Sequence, residues 1–337
     1  MQQAYNLDET DKRKLAFLYH QSGIEKRYSV LKDFSVPPQQ WQFINVESNE
    51  ETPLDARMKL YKQHSLPLSL QAAQSCLDNL NNEVIITHLI TVSCTGMSAP
   101  GLDLELTEAL QLSPNIFRTS VNFMGCYAGI HALKLGKMIC DSTPNANVLI
   151  VATELCTLHF QQEYTLDNAA SSLLFADGSA AIIMSNDESK TALASIDKFH
   201  SHIAFNGKKD MAWEISNKGF LMTLSGYIPQ LIEQDISSLV SDALQQSNLN
   251  ISDVKHWCLH PGGRRIIDAI QKQLQLPAEA TTASRRVLNN YGNMSSATIF
   301  FVLQEILSGQ KEKPSSPLLG IAFGPGLTME TFTATVL

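Results

Sequence analysis

An α/β architecture with mostly buried sheets is predicted by three features of this chain. Apolar runs of strand length alternate with stretches of helical periodicity. Some of the strand runs, such as NVLIVATEL, are apolar nearly throughout, the pattern of strands covered on both faces. The alternation resumes beyond a polar seam, SNDESKT at 185–191, which divides the chain into a first half, 1–187, and a second, 188–337. No sequence repeat links the two halves.

The elements follow in order. Near the N-terminus Leu15, Leu18 and Tyr19 give one apolar helix face, and Gly23 ends it. EVIITHLITVSC (83–94) reads as a buried strand running into the turn TGMSAPG, with a helix after it around 102–112. FRTSVNF is the next strand, broken by Gly125 and Cys126. A helix from Tyr127 to near Ile139 then presents Ile130, Leu133 and Met138 on one side. NVLIVATEL and GSAAIIMS are strands. In the second half GFLMTLS reads as a strand. IPQLIEQDISSLVSDALQQS reads as a helix with Ile232, Ile236, Val240 and Ala243 in one stripe. HWCLH is a strand, GGRRIIDAIQKQL a helix and MSSATIFFVLQEIL a buried helix. LLGIAF and TMETFTATVL close the chain as strands.

Composition narrows the function. Of 337 residues, 44% are hydrophobic, enough for a large core in one or two domains. A net charge of −8 with no long basic block makes a poor nucleic-acid binder. No apolar run reaches the roughly 18 residues that a membrane span needs. The polar start, MQQAYNLDETDKRK, has no apolar core, so the expectation is no signal peptide and a cytoplasmic protein. Cys76, Cys94, Cys126, Cys140, Cys156 and Cys258 form no C-x-x-C pair and no zinc spacing with histidine. They read as reduced thiols, and no metal is expected.

Three islands carry chemistry. Cys126 lies in VNFMGCYAG, His260 in WCLHPGG and Asn293 in NYGNMSSA. A thiol, an imidazole and an amide each occupy a glycine-flanked turn beside an apolar run. Acyl-thioester chemistry needs that placement: a nucleophile at an element end, with polar groups converging on it. A thiol at a helix N-terminus gains from unpaired N–H groups and the positive dipole end. Each island also has a plain reading. Cys126 fits a small buried hydrophobe, His260 a structural histidine held by backbone, and Asn293 a helix cap. FGPG (323–326) makes a rigid loop between strands, either an ordinary turn or the border of a site.

GCYAG, HPGG, YGNMSSA and AFGPG occur in the order in which the type III polyketide synthases, the chalcone and stilbene synthase family, carry G-C-[FY]-A-G, H-P-G-G, Y-G-N-M-S-S-A and G-F-G-P-G. Only the first glycine of the last motif differs, being Ala322 here. YHQSGIEKRYSVL, VSCTGMSAPG, LFADGSAA and GFLMTLSGYIP extend the resemblance from about residue 12 to the end. It implies a thiolase-like fold, five layers αβαβα built from two similar halves, in a homodimer. It also implies Cys126 as nucleophile, His260 and Asn293 as its partners, and Gly324, Pro325 and Gly326 as a scaffold loop. The β-ketoacyl-carrier-protein synthases III share this triad, but their segments read H-Q-A-N and G-N-T-S.

The resemblance also marks departures. Family members begin with an extra strand and helix, so the expectation is either a start recorded too far downstream or a reduced N-terminal element, with an edge strand missing. Phe175 matches one gatekeeper phenylalanine, whereas the other position holds Met222. Trp213 falls where a chalcone synthase has glycine, His159 where it has threonine, and Cys94 on a further cavity position. Basic residues of the family bind CoA phosphates on the first helix. Lys14 matches one of them, while Phe17 and Gln21 occupy the other two positions. Gly262 and Gly263 complete the expected CoA site. The implied reaction condenses an aliphatic acyl-CoA starter, medium to long, with malonyl-CoA to give a pyrone, resorcinol or phloroglucinol-type product. It needs no cofactor, because decarboxylation supplies the carbanion. The alternatives are a fatty-acid initiation enzyme using a carrier protein and a non-catalytic acyl-binding subunit.

Overall fold

The computed structural model describes residues 1–45, 50–80, 84–187, 192–309 and 315–337. Two four-stranded sheets form its frame. In the first, β1 (His88–Ser93) lies between β2 (Phe117–Asn122) and β3 (Asn147–Leu155), parallel to both. β4 (Asp177–Ser185) runs antiparallel beyond β3. In the second sheet the order is β5 (Ala194–Ile203), β10 (Thr328–Val336), β9 (Ser316–Gly324) and β8 (His256–Leu259). Only β8 and β9 are parallel there. A separate hairpin pairs β6 (Met211–Ser216) with β7 (Gly219–Leu224).

Helices fill three layers. α4 (Ala128–Ser142) and α9 (Thr298–Ser308) lie between the sheets and touch both. α2 (Leu54–Asp78) and α3 (Leu102–Ala109) cover the outer face of the first sheet. α6 (Ile228–Gln245) and α7 (Arg264–Gln273) cover that of the second. The layering explains the apolar strands. On β3, Val148, Ile150 and Ala152 join the central core, while Leu149 and Val151 face outward onto α2 and α3. β9 repeats this, with Leu318 and Ala322 inward and Leu319, Ile321 and Phe323 outward. The five-layered α/β architecture is thus as expected.

Differences are instructive. β1 covers 88–93 only, not 83–94; Val84–Thr87 take no regular structure, and Glu83 lies outside the described residues. α2 has no counterpart in the expected elements. Its buried stripe is Arg57, Tyr61, Ser65, Ser69 and Ala73, spaced by four but largely polar, and Pro67 lies inside it. β5, β6, α5 (Leu166–Leu174) and α8 (Thr282–Tyr291) likewise have no counterpart in the expected elements. Among the described residues β4 is one edge of the first sheet, β2 being the other, whereas its counterpart β10 is flanked on both sides. The expected boundary at 187/188 meets residues 188–191, which lie outside the described ones.

Candidate active site

Cys126 follows β2 through Gly125, whose φ of +82° turns the chain toward α4. A Cβ at Gly125 would stand 2.1 Å from Pro325 Cδ, so the scaffold loop of the second half lies directly on the cysteine turn. The Gly125 N–H donates to Cys94 Sγ at 3.1 Å, which makes Cys94 a brace for that turn as well as a cavity residue. His260 leaves the end of β8, its N–H donating to Ile321 O at 2.8 Å on β9. Gly263, at φ +148°, opens the start of α7 just beyond it.

Asn293 performs both tasks between which its sequence left a choice. Its Oδ1 accepts the Ser295 N–H at 2.8 Å and so caps the turn before α9. Both amide atoms lie 3.9 Å from Cys126 Sγ. Since the cap occupies Oδ1, Nδ2 is the group left to serve the cavity. Backbone bonds from Asn293 N–H to Leu174 O, 3.0 Å, and from Ala176 N–H to Asn293 O, 2.9 Å, fix the residue against the Phe175 segment.

The three residues meet in one cavity of about 50 Å³, lined also by Cys94, Cys156, His159, Phe175, Trp213, Met222, Gly262 and Pro325. A second chamber of about 240 Å³ lies alongside, sharing Cys156, His159, Phe175, Trp213 and Met222 as a common wall. Trp213 and Met222 face one another across the β6–β7 hairpin. His159 packs edge-on against Trp213 and Phe220, with ring centroids 4.6 Å away in each case, and its Nε2 bonds Thr95 Oγ1 at 2.8 Å.

Burial dominates the electrostatics here. Burial pushes the Cys126 thiol up to about 11; the Glu154 charge adds to this, and hydrogen bonds from Ser295 and Asn293 oppose it. Burial likewise lowers His260 to about 3, and neither of its ring nitrogens has a hydrogen-bond partner among the described residues. Burial thus outweighs the hydrogen bonds to the thiol and favours the neutral forms of Cys126 and His260.

Glu154 is the residue that motif reading missed. It is fully buried on β3, accepts the Cys94 N–H at 2.9 Å and the Ser296 hydroxyl, and is pushed up to about 7 by burial. The signal was a carboxylate near the end of the otherwise apolar run NVLIVATEL. Of the expected CoA residues, Gly262 borders the inner cavity. Lys14 borders neither space; it is exposed and paired with Asp11 at 2.9 Å. Arg27, which lines the chamber, donates its Nη1 to the carbonyls of Ser172 and Phe175. Gly324 lies against the Tyr127 ring, and Gly326 takes φ +73°.

The family model for the N-terminal domain of chalcone and stilbene synthases matches residues 3–188, and the model for their C-terminal domain matches 198–337. An alpha-pyrone synthesis polyketide synthase-like protein of Mycobacterium tuberculosis is 29% identical over 330 residues, 96% of this chain and 82% of that one. The crystal structure of a polyketide synthase of the brown alga Ectocarpus siliculosus superposes with a TM-score of 0.90 at 29% identity, covering 98% of this chain and 90% of that one. The C-terminal type III polyketide synthase domain of the Dictyostelium hybrid Steely1 gives 0.90 at 27% identity, covering 100% and 95%.

Proposed function

This chain belongs to the chalcone and stilbene synthase family, the type III polyketide synthases, and on that premise we propose that it extends an aliphatic acyl-CoA starter, medium to long, with malonyl-CoA. The convergence of Cys126, His260 and Asn293 in one cavity carries this reading. The thioester arrives, His260 takes the Cys126 proton as sulfur attacks, and the proton leaves with the departing CoA thiol. Forming the thiolate only at attack suits a pair that is neutral at rest. Malonyl-CoA then loses CO2. The enolate oxygen so formed meets Asn293 Nδ2 and the His260 ring, fixed donors in a dry site where a developing charge is stabilised most. The enolate carbon attacks the acyl-cysteine and expels the Cys126 sulfur as thiolate, which takes a proton from solvent to restore the resting thiol. No cofactor is required in this scheme.

An aliphatic starter is supported by the wall between cavity and chamber. Trp213 takes room where a chalcone synthase has glycine, and the unbranched Met222 can lie along a flexible chain. The name of the mycobacterial relative points to a pyrone among the products proposed here, which also include resorcinol and phloroglucinol types. The protein is further proposed to act in the cytoplasm as a homodimer, joined where β2 ends the first sheet with Phe117 66% exposed. Light scattering tests the dimer. Incubation with malonyl-CoA and equal acetyl-, hexanoyl-, lauroyl-, palmitoyl- and coumaroyl-CoA, with products read by mass, tests the chemistry. A win for coumaroyl-CoA, or full activity on malonyl-CoA alone, overturns the starter proposal.

A further inference from the structure

Cys156 and His159 lie on one helical turn, Cys156–His159, which forms part of the wall between the cavity and the chamber. Two buried charges hold that turn from opposite ends. At its amide end, Asp177 accepts the Thr157 N–H at 2.8 Å and the Thr157 hydroxyl at 2.6 Å. The same carboxylate accepts the Val30 N–H at 2.8 Å. At the carbonyl end stands Arg57, with no exposed surface. Its Nη1 donates to Leu158 O at 2.5 Å and Phe160 O at 2.7 Å, and its Nε to Thr52 O at 2.6 Å. Its Nη2 pairs with Glu51 at 3.3 Å. Glu51 in turn accepts the Gln162 and Glu163 N–H groups at 2.6 and 3.1 Å, directly after the turn. A negative group thus sits at the donor end of the turn and a positive one at its acceptor end, matching its dipole.

The guanidinium reaches the other side of the wall too. A Cβ at Gly219, the first residue of β7, would stand 2.7 Å from Arg57 Nε, so the hairpin carrying Trp213 and Met222 rests on it. Gln161 then ties His159 O, at 3.2 Å, to Phe220 O, at 3.3 Å. Burying such charges is an expensive way to gain stability, since apolar residues of equal volume often do as well or better. What the charges supply is directional: a planar fork whose Nε, Nη1 and Nη2 hold Thr52 O, the Leu158 and Phe160 carbonyls and Glu51 at the same time, which a lysine cannot copy.

We propose that Arg57, opposed by Asp177, is a positioning residue that fixes the wall turn and the hairpin, and through them the starter and chain-length selectivity of the enzyme. The proposal rests on the polyketide synthase reading of the site. Its test separates the two. Arg57→Lys and the milder Glu51→Gln are compared with the wild type by hydrogen exchange of residues 156–163, by competition between hexanoyl- and lauroyl-CoA, and by malonyl-CoA decarboxylation. The expected result is exchange about tenfold faster in the turn with β9 unchanged, and a starter ratio moved by about threefold or more. Decarboxylation should stay within about twofold. General destabilisation would speed exchange in β9 as well and leave the starter ratio alone. If Arg57→Lys fails to fold, Glu51→Gln decides through the same readouts. Unchanged exchange in the turn overturns the clamp, and faster exchange with an unmoved starter ratio overturns the selectivity role. A wild type that makes no polyketide from any starter overturns the functional reading, while the exchange result still judges the clamp.

Discussion

The cavity at Cys126 and the chamber beside it share Cys156, His159, Phe175, Trp213 and Met222, yet their remaining surroundings differ. Around Cys126 the turns are set by backbone contact: Gly125 against Pro325, Asn293 N–H to Leu174 O, His260 N–H to Ile321 O. Burial there favours the neutral forms of Cys126 and His260. The wall toward the chamber hangs on buried charges, Arg57 and Asp177, brought from distant points of the chain. If the proposed roles hold, the difference teaches that reactivity and selectivity are held by separate parts of the fold. The first should fail all at once and the second by degrees.

The sharpest way to break this comparison lies in the inner cavity. Cys126→Ala should abolish product while leaving the melting temperature within a few degrees, because alanine keeps the small volume. Any residual polyketide would remove Cys126 from its role. With the native thiol, the rate of iodoacetamide inactivation should keep climbing from pH 7 through 10, since burial holds the thiol at about 11. A plateau near neutral pH would mean that a thiolate–imidazolium pair exists before substrate arrives.

Asn293→Ala comes next. It should cost on the order of 10²–10³ in malonyl-CoA decarboxylation while sparing starter loading, because the amide meets a charge that develops only in the enolate. Poor loading with normal decarboxylation would reverse the assignment. Moving to the shared wall, Trp213→Ala should join the two spaces and shift product length or starter preference by about tenfold, with total turnover less affected. A product profile identical to that of the wild type would mean that Trp213 bounds nothing the substrate touches.

Glu154 gives a smaller effect that reads stability rather than rate. Its carboxyl is raised from the ordinary glutamate range to about 7 in the folded protein, so the folded state binds the proton more tightly than the unfolded chain. Stability from this group is therefore complete at low pH, below the ordinary glutamate range, and is lost as pH rises toward 7. Glu154→Gln should flatten that part of the profile, by about 3 kcal/mol between its ends, in urea titrations at several pH values. An unchanged slope would place the titration elsewhere. Smallest of all, Lys14→Ala should raise the KM for acyl-CoA by no more than about twofold, because the ammonium is exposed and already paired with Asp11. A tenfold rise would return the first helix to the CoA site.

The turns that carry Cys126, His260 and Asn293 were legible in the sequence because glycine stands beside or near each residue in GCYAG, HPGG and YGNMSSA, with proline as well in HPGG. The apolar strands were legible for the same local reason. α2 was not, since the stripe it buries is Arg57, Tyr61, Ser65, Ser69 and Ala73, and a search for apolar periodicity passes over arginine and serine. Arg57 owes its place to carbonyls about a hundred residues away. Glu154 stood in plain view within NVLIVATEL, but its partners, Cys94 N–H and the Ser296 hydroxyl, come from both halves of the chain. The charge that Lys14 contributes was placed by resemblance alone, and the ion pair with Asp11 is a local matter of spacing on α1 (Glu9–Gln21).

Gly125 lies so close to Pro325 that the two halves of the chain meet where a side chain would otherwise stand. Gly129 lies in the same way on Ser296 O, and Gly324 on the Tyr127 ring. Much of the site's geometry is therefore written as missing atoms. In a saturation library selected for product, these three positions should appear as blank columns, rejecting even alanine, whereas Gly226, with open space around it, should accept most residues. Diversity introduced to change the product would then be best spent on the wall, leaving the seam between the halves as it is.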